Sequence, residues 1–484
     1  PIIGANVVVK GTSTGTITDI DGNFQIQAPK GVLLQVSFVG YTSSEVQAVA
    51  NVTVILKEDS QVIDDVVVIG YATGSSRTVS GAVQKVGRKE MNAGIIANPL
   101  SAIKGKVAGV NIQKTGGDPT AAPAIRVRGT TSLTGGNDPL VIIDGVFGDL
   151  NMLNAISPAD IENFTVLKDA SETAQYGSRG ASGVIVVTTV KGKNGVKSMS
   201  YDGSFGIESV YKNLDMLSAA EYRSVAQERG ISILDKGANT NFIEEMQRTG
   251  YTQNHRLSFS NGNDDSNYRA SIGVIDQKGI LKNNSMRNYT AKLDAMQNMF
   301  KNKLKIEFGM FGSLKQSRYI NDYQKTFYSA ASFNPTFPNV VNPETGMWDE
   351  NANANEVQNP LGRLSINDRE NNVFINTNAR ITWSIIPDLK LSAFGSYTYN
   401  VKENMKYIPS TIKAGLSNRG EAYRGDNKSQ SLLGNLMLTY KKAFGKHYIN
   451  ALGLAEVQRV INTGFGANVH GFSSDDFGYN NLQA

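Results

Sequence analysis

From about Lys197 onward, apolar and polar residues alternate. In LKLSAFGSYTYN, Leu389, Leu391, Ala393, Gly395, Tyr397 and Tyr399 fall on one face, while Lys390, Ser392, Phe394, Ser396 and Thr398 fall on the other. Side chains of a strand point alternately to its two faces, so this period of two predicts strands with one apolar surface. VFINTNARITWSI from Val373, YTAKLDAM from Tyr289 and LKIEFGMF from Leu304 read the same way, and about nine such strands are expected. Their connections alternate in length. They are long after Val210, short at 261–266, intermediate after Lys278, short at Lys301, long over 314–372, short at Pro387 and Asp388, long after Val401 and short at Gly445. Short turns at one end and longer loops at the other are what a transmembrane β-barrel requires; a large soluble antiparallel protein is the alternative. A barrel puts Val373, Ile375, Ala379, Ile381, Leu389 and Leu391 on the outer, lipid-side face.

Earlier in the chain the pattern changes twice. Residues 1–58 carry short apolar runs at 5–10, 16–20, 24–27, 33–39 and 52–56, separated by turns, and predict a small β-sandwich. Residues 59–80 have an acidic lead, an apolar core at 66–70 and a Gly/Ser/Thr tail. Such a run is either the edge strand of a neighbouring domain or an extended peptide awaiting a partner strand. Residues 81–192 mix helix and strand as an α+β domain. Pro99 opens a helix that runs into a strand at Val110; AIRVRGTTS alternates; PLVIIDGV is a buried strand with a turn. In SPADIENFTVL, Ser157 is expected as an N-cap and Pro158 at the first helical position.

Three motifs in these regions suggest chemistry, and their context argues against it. GTSTG at 11–15 has the spacing of a nucleophile elbow, but TITD and then DGNF follow it, a strand and a turn where the elbow needs a helix. DIDG at 19–22 resembles the start of a calcium loop, yet its glycine comes too early and the twelfth position is Lys30. The glycines at 177, 180 and 183 suggest a phosphate loop, which must follow a strand and open a helix. Here the order is reversed: 168–175 favours helix and 184–190 favours a buried strand, so Gly177 is read as a helix C-cap.

Composition narrows the possibilities. The 484 residues are 40% hydrophobic and 19% charged, enough for packed cores, with a net charge of +5 and no basic run to mark a nucleic-acid surface. The absence of cysteine removes thiol catalysis, cysteine-based zinc sites and disulfides. His255, His447 and His470 lack metal-site spacing, and no catalytic residue, cofactor or metal is expected. Asp144, Asp160, Glu162, Lys168, Asp169 and Arg179 lie at loops and helix ends and are read as structural charges. No 18-residue apolar run is present, which excludes a transmembrane helix. A mean hydropathy of −0.26 remains compatible with a barrel. The chain opens within a strand-like run, PIIGANVVVKG, without the charged and apolar regions of a signal peptide, and reads as truncated.

IDDVVVIGYAT, RVRGTTS followed by DPLVIIDGV, and SPADIENFTVLKDASETAQYGSRGASGVIVVTT, in that order and spacing, closely resemble the SusC/RagA-type TonB-dependent outer-membrane transporters of Bacteroidota. TDIDGNF and VSFVGYTS look like the carboxypeptidase-regulatory-like domain of that family. The resemblance implies a mainly β chain: residues 1–58 as this sandwich, 59–80 as a TonB-box linker, 81–192 as an α+β plug domain, and 193–484 as the first strands of an antiparallel transmembrane β-barrel, incomplete and therefore an N-terminal fragment. It implies that Asp65, Val66, Val67, Val68, Ile69, Gly70 and Tyr71 are the TonB box. It assigns Arg126, Arg128, Gly129, Asp144, Gly145, Lys168, Asp169, Tyr176, Gly177, Arg179, Gly180 and Gly183 to the plug motifs. It also implies active import across the outer membrane of a Gram-negative bacterium, with TonB and a SusD-like lipoprotein as partners, lipid around the barrel, no enzymatic activity, and a glycan or peptide as cargo. The alternatives are a non-transporting outer-membrane receptor and a soluble β-rich binding or adhesion protein. Tyr319, Tyr323, Phe327, Phe333, Phe337 and Trp348 are candidates for stacking on sugar rings, or else for packing the loops.

Overall fold

The computed structural model describes the chain except for residues 1, 3–4, 11, 13, 20, 39–42, 57–65, 70–71, 76–82, 115, 134–135, 194, 196, 352–356, 446 and 484. It forms two compact units, Pro1–Ser80 and Gly81–Ala484.

In the first unit, strands β1 (Asn6–Val9), β2 (Gly15–Ile17), β3 (Leu33–Ser37) and β4 (Ser44–Gln47) form an antiparallel sheet in the order β2-β1-β3-β4. Val7, Val9, Leu34 and Val36 alternate onto one face and are buried. The runs expected as strands at 24–27 and 52–56 join no ladder among the described residues. Their alternation still packs Phe24, Ile26, Val54 and Leu56 against that face, so the second layer is held by side-chain burial rather than by backbone pairing. The turn reading of DIDG holds: Asp19 Oδ1 accepts from the Asp21 and Asn23 amides at 3.0 and 2.8 Å, an Asx turn. Of GTSTG, Gly11 and Ser13 lie outside the described residues; Gly15 begins β2, and no helix follows it among the described residues of this unit. Strand β5 (Val66–Ile69) pairs antiparallel with β6 (Ala72–Ser75).

The second unit begins with the smaller α+β part. Its strands are β7 (Gln84–Gly87), β8 (Val110–Gln113), β9 (Ala124–Val127), β10 (Leu140–Ile143), β11 (Val146–Gly148), β12 (Ile161–Leu167) and β13 (Val184–Thr189). β8 and β9 pair alone, and the others form one sheet in the order β11-β10-β13-β12-β7, with β10 and β13 parallel. The apolar runs LVII and VIVV occupy the parallel pair and are largely buried, as strands covered on both faces must be. The helix expected from Ser157 is a single 3₁₀ turn, Pro158–Asp160, and Ser157 makes no side-chain cap bond. Ile161 enters β12 at once, because IENFTVL is bonded by β13 on one side and β7 on the other. The helix expected over 168–175 is Ala170–Thr173 followed by 3₁₀ geometry to Gly180. Gly177, with φ 59° and ψ −146°, breaks that run rather than capping it.

The larger part is a nine-stranded antiparallel sheet in sequence order. Its strands are β14 (Ser198–Glu208), β15 (Gly250–Gly262), β16 (Ser266–Lys278), β17 (Ser285–Met299), β18 (Leu304–Tyr319), β19 (Asn367–Ile386), β20 (Leu389–Ile408), β21 (Glu421–Phe444) and β22 (His447–His470). Turns at 263–265, 300–303, 387–388 and 445–446 lie at one end; loops 209–249, 279–284, 320–366 and 409–420 lie at the other. Two loops are shorter than their polarity predicts, since β18 continues to Tyr319 and β20 to Ile408. A ladder satisfies the backbone whatever the side chains, so strands extend past their apolar band. The 24 residues of β21 span about 80 Å along the strand at ~3.3 Å each, against ~30 Å of bilayer hydrocarbon.

The two faces decide which solvent the sheet meets. Leu257, Ile272, Leu293, Met310, Leu436 and Leu438 are exposed on one face, and Arg256, Arg269, Lys292, Asp294, Ser271 and Asn376 are buried on the other. Apolar groups outside and charge inside is the reverse of a soluble sandwich and is the pattern of a membrane barrel wall. Ile375, Ala379 and Ile381 are exposed on the outer face, and Val373, Leu389 and Leu391 are half-buried on it. Ile381→Arg in the full-length protein should therefore cost about 2–4 kcal/mol of folding free energy in bilayers if it sits at mid-depth. Urea titration in phospholipid vesicles measures it; a change below about 0.5 kcal/mol would place Ile381 in water.

Candidate functional site: the interface between the small sheet and the barrel wall

The turn between β10 and β11 supplies the first contact. Asp144 and Gly145 have φ of 51° and 91°, the pair of positive values a two-residue type I′ turn needs, and Asp-Gly suits it. Asp144 accepts from the Thr189 amide at 3.1 Å, from its hydroxyl at 2.5 Å, and from Lys191 Nζ at 2.8 Å. Lys191 Nζ also donates to Asp294 on β17 at 2.6 Å, and Asp294 pairs with Lys292. Burial pushes the Asp144 carboxyl up, but the Lys191 and Lys292 ammoniums outweigh it and hold the pKa down at about 2. A carboxyl lowered in the folded state stabilises it above its unfolded pKa, and the contribution is lost as pH falls from about 4 to about 2. Asp144→Asn should remove about 2 kcal/mol at pH 7 and flatten the stability profile between those pH values. Chemical denaturation at pH 7 and pH 3 tests this: a variant with the parent's acid dependence would show that another carboxylate carries it.

Asp160 makes the deeper contact. Its side chain is 4% exposed, those of Arg256 and Arg269 are 2% and 7% exposed, and both guanidiniums lie 3.1 Å from Asp160 Oδ1. Ser271 Oγ donates to the same carboxylate at 3.0 and 2.9 Å. The Asp160 carbonyl accepts from the Val190 amide at 2.8 Å, so this one residue joins the 3₁₀ turn, the exit of β13 and the wall strands β15 and β16. The sequence marked Asp160 only as a structural charge and missed its partners. The available signal was a charged residue on the inward face of an alternating strand, as at Arg256, Arg269, Lys292 and Asp294.

The remaining motif residues form a third group. Arg179 donates to Gln458 at 2.6 Å and to Glu456 at 3.1 Å on β22, and its guanidinium lies 4.7 Å from the Phe147 ring centre. Phe147 in turn meets the buried Tyr176 edge to face at 6.0 Å. Arg128 pairs with Asp169, Arg126 with Asp138 at 2.8 Å, and Lys168 donates to the Ala108 carbonyl at 3.0 Å. Gly129 follows Arg128 through a turn in which both have positive φ. Gly180 and Gly183 are packing glycines: a Cβ would lie 2.8 Å from the Thr173 carbonyl oxygen at the first and 2.9 Å from Val127 at the second. The glycine cluster thus packs helix on strand and holds no cradle for phosphate.

Of the residues expected as the TonB box, Asp65, Gly70 and Tyr71 lie outside the described residues, and Val66–Ile69 is the strand paired with Ala72–Ser75. Among the loop aromatics, Phe333 and Phe337 are buried with Phe242, Ile243, Met246 and Leu281. Phe242 and Phe333 meet edge to face at 5.0 Å, and Phe333 and Phe337 at 5.3 Å. These two rings pack three loops together and are not available to a sugar. His255 sits against Tyr201, with Nδ1 2.7 Å from the hydroxyl.

The small α+β sheet thus meets the charged face of the nine-stranded wall through buried ion pairs and hydrogen bonds. Residues 75–184 match the TonB-dependent Receptor Plug Domain, and residues 1–68 match the CarboxypepD_reg-like domain. The chain is 37% identical to TonB-dependent receptor SusC of Bacteroides thetaiotaomicron, over 96% of this chain and 50% of that protein. The chain belongs to the SusC family of TonB-dependent receptors. This SusC-family chain is also 31% identical to TonB-dependent receptor P3 of Formosa agariphila, over 99% of its own length and 49% of the relative's. It therefore spans about half the length of the curated relatives it matches. Its fold is that of the RagAB peptide importer in the closed-closed state, with TM-score 0.71 and 23% identity over 82% of this chain and 50% of that one. A more distant fold match is the ferric citrate transporter FecA, with TM-score 0.51 and 11% identity over 82% of this chain and 51% of that one. SusC-family receptors are outer-membrane proteins of Gram-negative bacteria, and the apolar outer face of the nine strands suits that location. The family is one of receptors and transporters, not of enzymes.

Proposed function

We propose that the full-length protein imports a large nutrient, a glycan or a peptide, actively across the outer membrane. In this reading residues 65–71 are the TonB box, 81–192 the plug and 193–484 the first strands of the barrel, with 1–58 a separate regulatory-like domain. TonB adds its own strand to the box and draws on the proton-motive force to remodel the plug. A SusD-like lipoprotein captures cargo above the barrel. The observation that carries the reading is the seam itself: Asp144, Asp160, Arg179 and their partners make charged and hydrogen-bonded contacts between plug and wall. Charged and hydrogen-bonded contacts can be exchanged for water one at a time, so a plug held this way can move without exposing hydrocarbon. The deciding experiment compares cargo accumulation by energised cells with cargo binding by de-energised cells, in a strain whose TonB box cannot pair.

A further inference from the structure

At the long-loop end of the wall, one rung of the ladder crosses β16 to β21 through Lys278, Ser285, Arg318, Arg369, Met405 and Arg424. Side chains alternate along a strand, so its four cations share the outer face with the exposed Ile272, Leu314, Ile375 and Leu432. Carboxylates do not balance them. By the same alternation Asp368 and Glu370 fall on the inner face. On the outer face, Glu403 pairs with Arg424 and Asp276 with Arg287, both at 2.8 Å. Asp475, on the segment after β22, accepts from the Tyr407 and Ser410 hydroxyls at 2.6 and 2.9 Å. Among the described residues, Lys278, Arg318 and Arg369 have no ion pair. Arg318 and Arg369 stand directly opposite each other on adjacent strands. The charged groups that bear on Arg318 are Arg369 and Arg248, both cations, and Arg248 is bonded to the Gly279 and Asn284 carbonyls at 3.0 and 2.6 Å.

Like charges directly opposite each other in a sheet repel. An anion between two guanidiniums removes that repulsion, and phosphate suits their paired N–H donors. Depth on the wall says where the anion comes from. Leu314 lies below Arg318 on the same strand, ~13 Å away at ~3.3 Å per residue and about 10 Å in depth at a tilt of about 40°. Headgroups lie just outside the ~30 Å of hydrocarbon, and the long stem of an arginine lets its charged end reach toward them. We propose that Arg318 and Arg369 clamp the phosphate of a lipid headgroup in the leaflet on the long-loop side, with Lys278 as a further contact. A basic cluster at the edge of an apolar face is what an anionic headgroup recognises. Free phosphate shares that chemistry, but only a lipid also gains from the apolar outer face at Leu314 and Ile375. The site lies outside the barrel and goes beyond the importer reading.

Short-chain phosphatidic acid, the matching diacylglycerol and inorganic phosphate are titrated into the full-length protein in a non-ionic detergent, with binding read by calorimetry and melting followed in parallel. The parent should bind phosphatidic acid at least about tenfold more tightly than either of the others. Arg318→Gln and Arg369→Gln should each lose about tenfold as a charge-assisted hydrogen bond goes. Arg369→Lys should recover part of the loss, because it keeps the charge without the fork. Melting separates this role from a structural one. Without lipid, Arg369→Gln relieves the repulsion and should melt at or above the parent temperature; with saturating phosphatidic acid it should melt below the parent. Equal binding of phosphatidic acid by the parent and both glutamine variants overturns the proposal. Diacylglycerol binding as tightly as phosphatidic acid would leave only the apolar face, and inorganic phosphate doing so would leave an anion site without a lipid; either result overturns it. So does a lipid-free Arg369→Gln that melts below the parent, which would make Arg369 a structural contact.

Discussion

Replacing Val67 by proline in the full-length protein is expected to lower cargo accumulation by energised cells on the order of tenfold or more, while binding by de-energised cells stays at the parent level. Proline removes one N–H donor and fixes φ, and strand addition draws its affinity from main-chain hydrogen bonds. Val67 stands opposite Gly74 in the hairpin of β5 and β6, so the substitution also loosens that hairpin. Thr73→Pro separates the two effects: Thr73 stands opposite Val68, and proline there breaks the hairpin while leaving 65–71 free to pair with TonB. Uptake should survive Thr73→Pro and fail in Val67→Pro. Equal loss in both would mean that the hairpin itself is the working element. A Val67→Pro strain that accumulates cargo at the parent rate would point to a passive pore or a receptor without this energy input.

The same segment shows what sequence makes legible and what it does not. An apolar, β-branched run between polar flanks announces a strand, but whether it pairs with its own chain or with another depends on free energies that no local pattern encodes. The barrel strands were legible because alternation over ten or more residues has one physical solution, and Ile375, Ala379 and Ile381 fall on the outer face as that alternation requires. The Gly180 and Gly183 turns were legible because the order helix, glycine, strand excludes a phosphate cradle. Ser157 and Pro158 do stand as N-cap and first helical position, but a good helix start says nothing about the ladder waiting at Ile161, which ends the element after one turn. At 24–27 and 52–56, period two reported burial correctly and pairing incorrectly. Asp160 with Arg256 and Arg269 was out of reach for a simpler reason: 109 residues separate Asp160 from Arg269, and only the closed geometry of plug against wall brings them together.

That cluster carries the second large effect. Asp160→Ala leaves Arg256 and Arg269 facing each other with their shared counter-ion gone, and removing one partner of a buried ionic group typically costs about 3–5 kcal/mol. Asp202 bonds Arg256 at 3.2 Å from a half-exposed position and cannot reproduce the bonds to Arg269 and Ser271. Because Asp160 also accepts from Val190 through its backbone, the 3₁₀ turn and the exit of β13 remain tied to each other while both come loose from β15 and β16. The expected result is a barrel that still inserts but holds its plug poorly. Protease added from the periplasmic side should cut the plug sooner, and a large hydrophilic antibiotic should enter cells faster. Asp160→Asn keeps most hydrogen bonds and loses the charge, so it should fall between the parent and alanine. Removing the whole cluster, with Asp160→Leu, Arg256→Met and Arg269→Met together, relieves the unpaired charge and should recover stability. It should also cost uptake, since an apolar seam resists the exchange with water that lets the plug move. If Asp160→Ala neither admits the antibiotic nor shifts the melt by more than about 1 kcal/mol, the plug is held elsewhere, and Asp144 with Lys191 and Asp294 becomes the contact to break next.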